Sequence, residues 1–152
     1  MGNNIKKLYK LTADYHTHTR YSHGKGYAHG KGTVLENVAA ASAKGLRELA
    51  ITDHGPGHKF YGLKMEKIPA MRADIEAAMR EFPNVKVLLG VEANIINSPN
   101  GLDIDKEDFK RFDIVNAGYH YGLPNGYMTA NYVCWHAGLP SGSREKLRNK
   151  NT

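Results

Sequence analysis

The sequence predicts an α/β domain built on a parallel sheet. Two observations carry this. Short apolar runs alternate with segments of helical period, and capping or breaking residues stand at the joints between them. That alternation is the pattern of strands joined by crossover helices. At 152 residues the chain reads as one domain spanning 1–152, close to the ~150 residues of an ordinary domain.

Leu11 to His16 reads as the first strand. Thr33 to Gly45 reads as a helix. Thr33 is placed to cap it, Glu36 stands three residues on as in a capping box, and Gly45 is placed to end it. Glu48 to Thr52 (ELAIT) is a short buried strand. Met65, Ile68, Met71, Ile75, Met79 and Phe82 step by three or four residues and draw one apolar stripe along a second helix. Pro83 and Asn84 stop it. Val85 to Ala93 (VKVLLGVEA) is apolar almost throughout, as expected of a strand covered on both faces. A short helix then precedes a fourth strand, Ile114 to Gly118 (IVNAG). No internal repeat or low-complexity tract stands out, and the segment Ser141 to Thr152 is polar and rich in Lys and Arg.

Composition narrows the function classes. Hydrophobic residues at 41% and charged residues at 24% suit a folded domain. No apolar run approaches the ~18 residues that cross a bilayer, so no membrane partner is expected. The first twelve residues hold no apolar core of a secretory signal. The one cysteine, Cys134, suits a reducing compartment; a cytoplasmic location is the expectation. The net charge of +6 favours anionic substrates by steering. No basic stripe is interleaved with stacking aromatics, which argues against a nucleic-acid partner.

The eight histidines are the unusual feature. Asp14, His16 and His18 alternate, so on a strand their side chains leave one face. Two such imidazoles can grip one cation, with the carboxylate orienting them. His23 follows in a glycine-rich loop. His54 comes just after the strand ELAIT, Glu92 near the end of VKVLLGVEA, and His120 just after IVNAG. Each lies at or past the C-terminal end of a predicted strand, the edge where α/β proteins build their sites. Five imidazoles and a carboxylate suit zinc, iron or manganese better than magnesium or calcium. The absence of a thiolate argues against a closed structural zinc site. Six ligands exceed one tetrahedral ion, which implies two or more ions with Glu92 bridging. His29, His58 and His136 do not share this placement and read as surface or loop histidines.

DYHTHTRYSHG, ITDHGPG, GVEANI and AGYHYG resemble the successive motifs of the PHP family, named for polymerase and histidinol phosphatase. GVEANI and NGLDID are closest to its small stand-alone histidinol-phosphatase-like phosphoesterases. The resemblance implies a distorted (β/α)7 barrel, of which these residues supply about the first four β/α units, since such barrels usually need ~250 residues. It implies up to three divalent ions (zinc, manganese or iron), a small phosphorylated substrate, and ligand roles for His16, His18, His23, His54, Glu92 and His120. The family's later SHPG-like histidine and Asp-x-His pair are absent here, and His136 in CWHAG does not replace them. The expectation is therefore a truncated barrel in which each ion lacks one protein ligand.

The expected chemistry is hydrolysis of a phosphomonoester by metal-activated water. Asp53 would orient a ligand, shuttle a proton or cap a turn. Arg20 or Lys25, from the glycine-rich segment, would contact the phosphate. Two alternatives stand beside this reading: an inactive fragment that binds metal weakly and self-associates through open sheet edges, and a basic binding domain with incidental histidines.

Overall fold

A computed structural model describes residues 10–24, 27–121, 123 and 126, with the backbone alone at 23–24 and 27–28. Lys25, Cys134, His136 and the 141–152 segment lie outside the described residues. The elements run β1 (Ala13–Thr17), β2 (His23–Gly24), β3 (Tyr27–Ala28), α1 (Val34–Ala43), β4 (Glu48–His54), α2 (Ile68–Glu81), β5 (Lys86–Asn94) and β6 (Ile114–Gly118). Single 3₁₀ turns occupy Met65–Lys67 and Asp108–Arg111.

Local chemistry explains most boundaries. Thr33 caps α1 with both halves of a capping box: its Oγ1 accepts from the Glu36 N–H at 3.1 Å, and its N–H donates to Glu36 Oε2 at 2.7 Å. Gly45 leaves the helix at φ +74°, a conformation that suits glycine. The second helical stripe begins at Met65, but the α-helix begins at Ile68. Pro69 has no N–H to donate and fits only the first turn, so the preceding residues close as 3₁₀. β4 runs two residues further than the apolar pattern suggested, which brings Asp53 and His54 into the strand. The glycine-rich segment, expected as a loop, contains the small antiparallel pair β2–β3.

The main sheet has the order β1-β4-β5-β6, all parallel. On one face lies the core. Val34, Val38 and Ala41 of α1 and Ile68, Met71, Ile75 and Ala78 of α2 pack with Leu49, Ile51, Val87, Leu89 and Val91 from the strands. The other face is concave. Neighbouring strands stand about 4.8 Å apart, so β1 and β6 would lie about 14 Å apart in a flat sheet. Instead the Asn116 side-chain amide on β6 donates to the Tyr15 carbonyl on β1 at 2.7 Å. The sheet is curled into a half-barrel, and its C-terminal strand ends converge.

Candidate metal centre

Strand register sets the centre of this rim. His54 is paired with Glu92 across β4 and β5, so both side chains leave the concave face side by side. A β-bulge interrupts β1 between Asp14 and Thr17, where three steps on β1 match two on β4. His16 within it and His18 just past it bring their Nε2 atoms 3.2 Å apart. Asp14, expected to orient the imidazoles, holds the backbone instead: its Oδ1 accepts from the His16 N–H at 3.0 Å.

Glu92 is the hub. Its Oε2 lies 3.3 Å from His16 Nε2, 3.5 Å from His18 Nε2 and 3.0 Å from His54 Nδ1, and its Oε1 lies 3.3 Å from His120 Nε2. Two groups of donor atoms share it: His16, His18 and Glu92, and His54, Glu92 and His120, each within a 4.8 Å spread. At Gly118 a Cβ would meet Glu92 Oε1 at 2.7 Å, so a side chain there would displace the carboxylate.

The electrostatics suit a cation. Burial alone would raise the Glu92 carboxyl, but its interactions with the neighbouring His120 and His54 imidazoles outweigh it and hold it far below the usual range. Burial, followed by repulsion from His54, lowers His18 to about 4, so its imidazole is neutral at pH 7, the form that binds metal. Glu92 Oε2 and His54 Nδ1 face each other yet neither makes a hydrogen bond; His18 Nδ1 and His120 Nδ1 are also buried without a partner. Each unsatisfied buried group costs about 1–3 kcal/mol. An imidazole and carboxylate donor set around a bare carboxylate oxygen fits divalent ions of the zinc, manganese or iron type.

A satisfied shell lies behind these groups. Asp53 is fully buried, and its oxygens accept from the Thr19 N–H at 2.7 Å and the Thr19 hydroxyl at 2.6 Å. Burial raises its carboxyl; bonds from Ser22 and Thr19 oppose the rise. Of the roles expected for Asp53, its geometry matches the turn-holding one, because both oxygens are committed to the turn after β1. The Ser22 hydroxyl accepts from the His54 N–H at 2.9 Å. Asp103 links the ends of two strands, accepting from the Asn94 N–H and the Gly57 N–H, each at 2.7 Å.

Other expected residues fall elsewhere. Arg20 pairs with α2: its guanidinium lies 3.5 Å from Asp74 Oδ2, and it lines a groove with Lys64 and Lys67. The side chains of His23 and Lys25 lie outside the described residues. His29 and His58 are loop histidines, His29 exposed in a bend and His58 buried, and both stand beside the cluster. His29 Nδ1 is 3.2 Å from His54 Nε2. His58 is buried, with Nε2 2.9 Å from the Tyr121 carbonyl. Tyr61 is stacked between them, 3.8 Å from the His29 ring and 3.5 Å from the His58 ring. His29 follows β3, a two-residue strand that the sequence pattern did not predict, and His58 stands four residues past β4, so position relative to the predicted strand ends gave no sign of them.

Residues 14–139 match the sequence model of the PHP domain. The chain belongs to the PHP domain family. Its half-barrel is accordingly part of a PHP-type barrel, and the Glu92 hub lies within the matched residues. A probable phosphatase of Acetivibrio thermocellus is 37% identical over 116 residues, covering 73% of this chain and 42% of the relative. A probable phosphatase of Photobacterium profundum is 38% identical over 116 residues, with 73% and 41% covered. The PHP chain described here thus spans about two fifths of the length of the curated relatives it matches. Among the described residues, no helix is long and apolar enough to cross a membrane.

Proposed function

We propose that this chain carries the metal-binding part of a phosphoesterase that hydrolyses phosphomonoesters. The observation that carries the reading is Glu92, a buried carboxylate facing four imidazoles with one oxygen left without a hydrogen bond. The PHP family membership and the probable phosphatases among the relatives support the reaction class.

His16 and His18 would hold one divalent ion and His54 and His120 another, with Glu92 shared between them. Bound there, such ions lower the pKa of a water towards ~7 and stabilise charge on a phosphoryl group. The protein's own residues prepare the site. Curling of the sheet brings the ends of β1 and β6 together. Burial keeps His18 neutral. Asp53, through Thr19, fixes the turn that follows His16 and His18, and Ser22 ties that turn to the His54 backbone.

The test is metal analysis of the purified chain together with p-nitrophenyl phosphate hydrolysis, with and without added Mn²⁺ or Zn²⁺. Bound metal with metal-dependent turnover is expected. Bound metal without turnover would reduce the reading to a metal-binding fragment, and a folded chain that binds neither ion would end it.

A further inference from the structure

The imidazole of His58 stands beside the cluster without joining it. It is buried, and burial lowers its pKa, so the ring is neutral at pH 7 and carries one proton. Both ring nitrogens are engaged. Nε2 lies 2.9 Å from the Tyr121 carbonyl, which can only accept, so Nε2 holds the proton and donates it. Nδ1 accepts from the Phe60 N–H at 3.4 Å. Neither nitrogen is left for a metal ion. We propose that His58 is a positioning residue for His120: its bond to Tyr121 holds the chain beside His120 at the separation from His54 at which the two imidazoles share an ion. This inference rests on the metal reading proposed above.

The bond joins a rigid loop to a segment that has left the sheet. Residues 55–63 close on themselves. The His58 N–H donates to the Gly55 carbonyl at 3.3 Å, the Gly62 N–H to the His58 carbonyl at 3.0 Å, and the Leu63 N–H to the His54 carbonyl at 2.8 Å. A Cβ at Gly62 would come within 2.7 Å of the Gly55 and His58 carbonyl oxygens, so this closure requires glycine. Tyr61 stacks on the His58 ring at 3.5 Å, with the planes 17° apart, and so sets the direction of the Nε2–H. On the other side, β6 ends at Gly118, whose carbonyl accepts from the Ile95 N–H at 2.9 Å. His120 follows two residues later. Its Nε2 lies 3.3 Å from Glu92 Oε1, but its buried Nδ1 finds no hydrogen-bond partner among the described residues. A ligating imidazole is ordinarily oriented by a bond from its second nitrogen. For His120 that duty falls to the backbone, and His58 grips the backbone at the adjoining residue. One side chain thus spans the loop that follows His54 and the segment that carries His120.

The tautomer of His58 tests the bond in the wild-type chain. In ¹⁵N NMR, His58 is expected as the Nε2–H form and should keep that proton when Zn²⁺ is added. An Nδ1–H form, or loss of the Nε2 proton to zinc, overturns the proposal. Equilibrium dialysis against Zn²⁺ then compares wild type with two variants. His58→Phe keeps a ring that can stack on Tyr61 but has no donor, and His58→Gln returns an N–H near the place of Nε2. His58→Phe is expected to weaken binding of one ion by roughly tenfold or more, and His58→Gln to recover most of that loss. In a His120→Ala background, His58→Phe should cost nothing further, because the residue it positions is gone. Wild-type binding in His58→Phe, equal losses in both variants, or an undiminished loss in the His120→Ala background overturns the assignment. Weakened binding in His16→Ala would then show that the metal reading survives without it. A folded wild-type chain that binds no zinc removes both.

Discussion

The two ends of β5 teach different lessons. Towards its start, Val87, Leu89 and Val91 face the helices and are closed over by Met71, Ile75 and Ala78. Nothing polar is buried in that cluster, and its stability comes from area removed from water. Towards its end, Glu92 and Asn94 face the concave side with Thr52 and His54, all buried and all polar. The polar end is itself layered. Asp53, Ser22 and Asp103 satisfy backbone and hydroxyl groups and so position the rim. Inside them, Glu92 Oε2 and His54 Nδ1 lack partners. One strand thus serves as a self-sufficient core at one end and as an incomplete coordination shell at the other.

Substitutions at the two ends should separate these roles. The largest effect is expected at the apolar end. Leu89→Ala should lower unfolding free energy by about 2–5 kcal/mol in urea titrations, while the folded fraction binds metal as wild type does. A parallel fall in metal affinity would mean that the two ends are coupled. At the polar end, Glu92→Gln keeps the shape and removes the charge. It should weaken Zn²⁺ or Mn²⁺ binding on the order of 100-fold or more, about 2.7 kcal/mol, and abolish the rise in melting temperature that metal gives wild type. A variant whose melting point still rises with metal would remove Glu92 from the hub.

The smallest effect, taken per pH unit, is the pH dependence of the metal-free chain. His18 titrates near 6.5 when unfolded and at about 4 when folded. Between those values the unfolded chain holds more protons, so stability should fall as pH drops from 6.5 towards 4, at no more than about 1.4 kcal/mol per pH unit for this group. His18→Gln should remove that contribution. An unchanged slope would show that the polar end does not keep His18 neutral.

Much of the architecture was legible in the residues. The Thr33–Glu36 capping box, the Ile68–Met71–Ile75 side of α2 and the strand Ile114–Gly118 depend on spacing within a few positions. The structure reproduces them because those interactions are local. The meeting of His16, His18, His54, Glu92 and His120 followed from a rule about strand ends in parallel sheets. What escaped was set by unlike segments coming together. Arg20 has a negative partner 54 positions away on α2, and no local pattern announces Asp74. His58 is buried under Tyr61 by a loop that folds back on β4, where the Leu63 N–H donates to the His54 carbonyl at 2.8 Å.

Composition and periodicity alone determined that this chain forms alternating strands and helices with imidazoles gathered at the strand ends, because side-chain direction and capping are settled within one or two turns of backbone. Which histidines share a carboxylate, and that His29 faces His54, were decided by the curl of the sheet and by the β2–β3 hairpin. Those contacts join residues far apart in the chain, and their distances exist only once the concave face has closed.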